Sequence, residues 1–412
     1  MVGYQAAGAL PSAASRGIRS GTLKAKRSEG DKSLKAASTH KVRLIVLWTL
    51  LPLLLILLAG CGGRAAMGWS APVVEDDVLY VAPKTGKVYA LDVNTREPLW
   101  AFPAEQPLAG IYSTPVVTQG LLLFGSYEIQ MTSFLIFQTQ DIQGRAYALD
   151  AATGQQRWQF PVGSGQSTEP FLGTPAVGQG MAYFTSSDRK VYALDMETGI
   201  KRWEFETGKE IWGGPAWHDG TLYVGSSDKN LYALDAASGE RKWAFAAGGA
   251  IYGTPHVTGD TLYFGSLDNR VYAVSSGKGE QKWSFLTGNW VWAEPRLYED
   301  TLYVASLDHF LYALDATNGA LRWEFDAGDM INASPVVSDG VVYLTAANAG
   351  VYALEAPTGT PLWHYPEEGN LRVLSSPEVS DGLLYVNADD GKLYVLDAAT
   401  GQLRAETAPE PQ

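Results

Sequence analysis

Short apolar runs alternate with turns rich in Gly, Asp and Ser along almost the whole chain, and they do so in a fixed register. A tyrosine recurs at Tyr89, Tyr147, Tyr192, Tyr232, Tyr272, Tyr312, Tyr352 and Tyr394, with a step of 40 residues from Tyr192 to Tyr352 and of 42 to Tyr394. Eleven residues after each of the first seven comes a tryptophan: Trp100, Trp158, Trp203, Trp243, Trp283, Trp323 and Trp363. A proline opens each unit (Pro72, Pro115, Pro175, Pro215, Pro255, Pro295, Pro335 and Pro377), 17 residues before its tyrosine in seven units and 32 before it in the second. Each unit reads as four strands. In the fourth they are predicted over Ile211–Trp217, Thr221–Gly225, Leu231–Asp235 and Lys242–Phe245, with turns at His218-Asp219-Gly220, around Asp228, and at Ala236 to Gly239. A period near 40 built of short alternating strands predicts an all-β protein, an eight-bladed β-propeller of four-stranded antiparallel blades over residues 62–407.

The turn between the third and fourth strands carries its own physics. It opens on an aspartate that can accept backbone N–H bonds and closes on a glycine suited to a left-handed backbone, as at Asp150 and Gly154, Asp195 and Gly199, Asp235 and Gly239, and Asp315 and Gly319. The seven tryptophans offer flat faces to bury between neighbouring sheets. Departures occur at Arg96 in place of the glycine, at Ser275 and Glu355 in place of the aspartate, and at Ala405 in place of the tryptophan. Blade 8 is therefore expected to be the weak one, with residues 64–71 contributing to the seam that closes the ring. The runs Ala148-Asp150-Thr153-Gly154-Trp158 and Ala193-Asp195-Thr198-Gly199-Trp203 resemble the tryptophan-docking motif of the quinoprotein propellers. That resemblance covers about residues 66–407 and implies that each motif staples one blade to the next.

Ahead of the repeats, Leu44 to Gly60 is a 17-residue apolar run preceded by Lys41 and Arg43 and ending in Leu58-Ala59-Gly60-Cys61. A basic flank, an apolar run and small residues describe an export signal over 44–61. Its ending resembles the lipobox of bacterial lipoproteins, which implies lipidation of Cys61; an uncleaved membrane anchor is the alternative. Residues 1–43 read as a disordered basic leader, translation being expected to begin near Val42, and residues 408–412 as a disordered tail. Cys61 is the sole cysteine, so an intrachain disulfide and a cysteine-based metal site are both excluded. Residues 1–60 hold nine Lys/Arg and two Asp/Glu, which leaves 22 basic and 42 acidic residues beyond them, a formal charge of −20. Such a body repels phosphate backbones, and nucleic acid is not expected as a partner.

Three places could carry binding. The first is the insertion in blade 2, Ser126 to Arg145, rich in Phe, Ile, Tyr and Gln and including Tyr127, Phe134 and Phe137. It is either a projecting apolar loop that meets a partner or a longer hairpin packed on its neighbours. The second is the position three residues before each proline: Trp69, Tyr112, Leu172, Trp212, Tyr252, Trp292, Asn332 and Leu374. Its aromatics form either a collar at the channel mouth or packing between blades. One residue before the proline most blades carry a small residue (Thr114, Thr174, Gly214, Thr254, Ser334, Ser376), whereas blade 6 has Glu294 beside Arg296. Glu294 either pairs with Arg296 or, with Asn332, holds a cation. The third, the row Asp188, Asp228, Asp268, Asp308 and Asp390, repeats with the blade and is expected to cap turns instead of converging on a metal. His218, His256, His309 and His364 lack ligand spacing, and no hydrolase elbow or phosphate loop is present. No catalytic residue and no metal site is expected.

Lipobox and eight-bladed motif propeller together resemble the propeller lipoprotein of the outer-membrane barrel-assembly machinery, the BamB type. The resemblance implies a non-catalytic, monomeric scaffold, anchored to the membrane by lipid on its extracytoplasmic side (periplasm or cell surface), with envelope proteins as partners and no cofactor. The first alternative is a dehydrogenase using pyrroloquinoline quinone and calcium, many of which stack the quinone under a bridge of adjacent cysteines that this chain cannot form. The second is a sensor that binds a small molecule or glycan through the aromatic collar.

Overall fold

Thirty-two strands between Val73 and Thr407 pair into eight four-stranded sheets, each running in chain order from an inner strand A to an outer strand D. The computed structural model describes residues 70–105, 107–134, 137–161 and 169–408. Cys61 with its apolar run, and Trp69, lie outside the described residues, as does most of the expected tail. In blade 4 the strands are Ala216–His218, Thr221–Gly225, Asn230–Asp235 and Arg241–Ala246. Strand A is thus three residues long, against the seven read from the sequence. Pro215 has no N–H to give a ladder, and the Gly214 N–H before it donates across to Thr254 Oγ1 of the next blade, 3.0 Å away. The segment before the proline bonds around the ring instead of within its own sheet.

Strands B and C are the buried ones, read as near-continuous apolar runs such as Leu222 to Val224 and Leu231 to Leu234. Their side chains fill eight apolar clusters, one at each blade-to-blade junction. The ring is therefore held by packing between blades as much as by hydrogen bonds within them.

Around the outside, the docking motifs work as expected. Each indole Nε1 donates to the carbonyl just after the first turn residue of the following blade (an aspartate, or Ser275 or Glu355 in its place): Trp100 to Ala151, Trp158 to Met196, Trp203 to Ala236, Trp243 to Ser276, Trp283 to Ala316, Trp323 to Ala356 and Trp363 to Ala398, all within 2.9–3.1 Å. In six blades a strand B tyrosine, such as Tyr303, donates to the same carbonyl. The turn glycine has two reasons to be there. At Gly319 the backbone is left-handed (φ 74°), and a Cβ would stand 2.6 Å from the Trp283 ring.

A β-bulge falls beside every docking position, between Ala193 and Leu194 in blade 3 and at the matching place in the other seven. A bulge turns the strand locally, and here it aims the indole at the neighbouring blade. The extra residue points outward, and as Arg202 or Arg404 it returns to the turn aspartate, 2.7 Å from Asp195 or Asp397. Those guanidiniums, followed by the turn threonines, pull both carboxyls down to about 2.

The seam between blades 8 and 1 departs at both partners together. Ala405 supplies no indole, and Arg96 (φ 64°) takes the place of the glycine that an indole would cover. Its cluster has seven buried residues where that between blades 6 and 7 has twelve, so the packing there is thinnest. Other contacts stand in: Asn387 Nδ2 donates to the Ser70 carbonyl at 3.0 Å, and Lys84 pairs with Asp389. The seam contribution expected of residues 64–71 is seen at Ser70; residues 64–69 lie outside the described residues.

Candidate functional site at the channel mouth

In an A-to-D antiparallel blade the B–C turns and the D–A connections emerge at the same end of the ring. That end differs from the repeat in three ways. The first is the blade 2 insertion, which is a regular hairpin and no loop: Leu121–Phe134 pairs with Phe137–Asp150 in unbroken register out to Phe134 opposite Phe137. Its root is tied down. Tyr127 exchanges backbone hydrogen bonds with Gly110 and accepts one from the Ala109 N–H, and its ring stacks on Tyr112 at 5.7 Å and 15°. Tyr147 donates to Glu128 Oε1 at 2.7 Å, and burial followed by that carboxylate raises its hydroxyl far above the ordinary tyrosine range. Further out, the cross-strand pair Ile129 and Ile142 is exposed.

The second departure is the arc of rings. Trp212 meets Tyr252 at 5.7 Å, and Tyr252 meets Trp292 edge-on at 5.2 Å, so these three collar residues form one aromatic wall along the channel. Tyr112 also lines the channel but is engaged by Tyr127. Next to the arc comes Asn332, whose Oδ1 is buried without a hydrogen-bond partner. Outside the arc, on the same connections, Trp290 and Met330 are exposed by 44% and 43%, and Trp212 itself by 40%. Large apolar side chains this open at one end of the ring mark a surface built to be covered.

The third departure lies deeper. The residues before the prolines form a belt in which a hydroxyl accepts the N–H of the preceding blade: Ala71 to Thr114, Gly214 to Thr254, Glu294 to Ser334 and Ser334 to Ser376, at 3.0–3.1 Å. This explains the small residues there. Glu294 breaks the row, and its Oε1 is held by Arg296 at 3.1 Å and faces His256 Nδ1 at 3.4 Å. The ion pair is thus formed, and Asn332 takes no part in it. Among the described residues no group of three His, Cys, Asp or Glu side chains could hold a metal ion.

One residue past each proline the row reads Val73, Val116, Ala176, Ala216, His256, Arg296, Val336 and Glu378. Blades 1 to 4 are apolar here; blades 5, 6 and 8 are polar or charged. Glu378, like the exposed Trp290 and Met330, is a residue that sequence reasoning missed, although comparing this row across blades isolates it at once. It lines the channel of about 310 Å³, and burial, opposed by the charge of Arg296, pushes its carboxyl up to about 7. The aspartate row behaves as expected: Asp228 Oδ1 accepts from the Asn230 N–H, while Oδ2 accepts from the Tyr232 hydroxyl and the Gly208 N–H. It caps turns and pins the incoming connection. Of the remaining predicted positions, Phe134 and Phe137 are placed by backbone alone.

Fold and repeat define an eight-bladed propeller of tryptophan-docked, pyrroloquinoline-quinone-type repeats. The model of the family described as "Outer membrane protein assembly factor BamB" matches residues 45–134, 134–211, 208–290 and 292–411, and the chain belongs to that family. No curated protein matches the sequence significantly. Among solved structures, BamB from Moraxella catarrhalis is similar with a TM-score of 0.64 at 20% identity, over 79% of this chain and 93% of that one. The computationally designed Ika8 protein gives 0.66 at 13% identity, over 81% and 97%. The quinohemoprotein alcohol dehydrogenase from Comamonas testosteroni gives 0.63 at 15% identity, over 82% and 74%. At these identities the likenesses speak for the fold alone.

Proposed function

We propose that this protein is a non-catalytic, protein-binding scaffold of the cell envelope, exported and held at the membrane by a lipid on Cys61. The observation that carries the reading is the mouth end of the ring. There the exposed Trp212, Trp290 and Met330 lie at the same end as a projecting hairpin with an exposed Ile129–Ile142 pair. Membership of a family described by an assembly factor supports a partner that is itself an envelope protein. The donor set supports the non-catalytic reading. Residues 62–412 contain no cysteine, and Glu294, two residues after the arc's Trp292, is already engaged by Arg296. These residues do not fit a quinone stacked beneath cysteines above a calcium ion.

Two experiments test the reading. A photo-crosslinking residue at 290 or 330, in cells, is expected to trap one envelope protein, whereas the same residue at 197 or 240, on the far turns, is not. Equal trapping from both ends would contradict it. Replacing Cys61 with serine is expected to move the chain from the membrane fraction to the soluble one; unchanged fractionation would exclude the lipid anchor.

A further inference from the structure

Three features of the channel ask for the same kind of ligand. The arc Trp212, Tyr252 and Trp292 presents aromatic surface at the mouth, and π faces attract cations. Beside it the Asn332 Oδ1 is buried and has no donor. Deeper, Glu378 lines the lumen, and among the described residues no hydrogen bond or ion pair reaches its carboxyl. The cation that acts on it, Arg296, is held by Glu294 at 3.1 Å, with His256 on the same oxygen at 3.4 Å. Both unsatisfied groups are acceptors, so a bound molecule has to bring donors. Aromatic faces together with a carboxylate select donors that carry positive charge.

The lumen also sets the shape. Val73, Leu172, Val336 and Leu374 line it with apolar surface suited to a methylene chain. Asn332 and Glu378 stand four positions apart in the repeat, three before the proline and one after it, which an extended chain spans in at most about 14 Å, a length that a linear molecule with an amine at each end covers. The acidic body, −20 beyond residue 60, concentrates cations around the protein. We propose that the channel binds a linear organic diamine or polyamine, with one ammonium group against the arc and Asn332 and another at Glu378. This assignment is independent of which protein covers the mouth.

The test is calorimetric titration of the full chain at pH 8 with cadaverine and spermidine, run beside 1,5-pentanediol, which matches cadaverine in length but carries no charge. Saturable binding of one amine per chain is expected, with none of the diol. Glu378→Gln and Trp292→Leu are each expected to weaken amine binding about tenfold. Absence of saturable amine binding, binding of the diol as tight as that of cadaverine, or amine affinity unchanged in both variants would each overturn the proposal. If either variant fails to melt cooperatively, Asn332→Asp takes its place. It adds a charge beside the arc and is expected to tighten amine binding, and weaker binding would count against the site.

Discussion

The outer girdle of tryptophan staples and the inner mouth of the channel come from the same eight repeats but treat the repeat in opposite ways. In the girdle one arrangement is used seven times, and its polar groups are closed locally: indole to carbonyl, hydroxyl to the same carbonyl, guanidinium to turn carboxylate. At the mouth the blades diverge. After the proline, blades 1 to 4 carry apolar residues whereas blades 5, 6 and 8 carry His256, Arg296 and Glu378, and the Asn332 Oδ1 acceptor is left open. A region whose polar groups are all answered by its own chain is built for stability. One that leaves acceptors and rings open is built for something else to meet.

The comparison can be broken first at the girdle. Trp283→Ala removes an indole that is only 8% exposed together with its hydrogen bond to Ala316, and is expected to cost about 3–4 kcal/mol in denaturant unfolding. Gly319→Ala strains a left-handed turn and displaces the same ring, for a loss of about 2 kcal/mol. At the seam the rule reverses: Ala405→Trp faces Arg96 instead of glycine and is expected to bring no gain, whereas a clear rise in stability would show that the seam is built like the other junctions.

The channel gives a smaller effect with a pH signature. Glu378 holds its proton up to about 7 in the folded chain against an ordinary value of 4.5. The folded state therefore binds more protons than the unfolded one across that window. The stabilising contribution of Glu378 is full below pH 4.5, is lost as the pH rises to about 7, and is level above it, roughly 1–2 kcal/mol in all once water in the channel is allowed for. Glu378→Gln is expected to flatten that slope; an unchanged slope would place the titration elsewhere. Least affected should be Trp290→Ala, which is expected to change stability by less than about 0.5 kcal/mol because the side chain lies at the surface.

Much of the girdle was legible in the sequence because its chemistry is local and repeated. The tyrosine-to-tryptophan spacing, the turn aspartates and the paired absence at Arg96 and Ala405 are all visible in one unit or two. The bulge was not, since one extra residue in a strand leaves no mark on composition. Sequence alone leaves the blade 2 insertion open between loop and hairpin because its alternation of apolar and polar residues is imperfect; cross-strand pairing makes it a hairpin. Glu294 and its partner Arg296 were visible as neighbours. Glu378 and His256 were not, because their meaning comes from blades 38 to 122 residues away in sequence meeting around one axis.

The most direct measurement is recovery of the partner crosslinked from residue 330 in cells carrying Trp212→Ala together with Trp290→Ala, alongside the melting temperature of the same variant. The account predicts a melting temperature close to that of the unsubstituted chain and loss of the crosslinked complex. A complex recovered at full yield from a variant that melts normally would contradict the claim that the mouth is the binding surface.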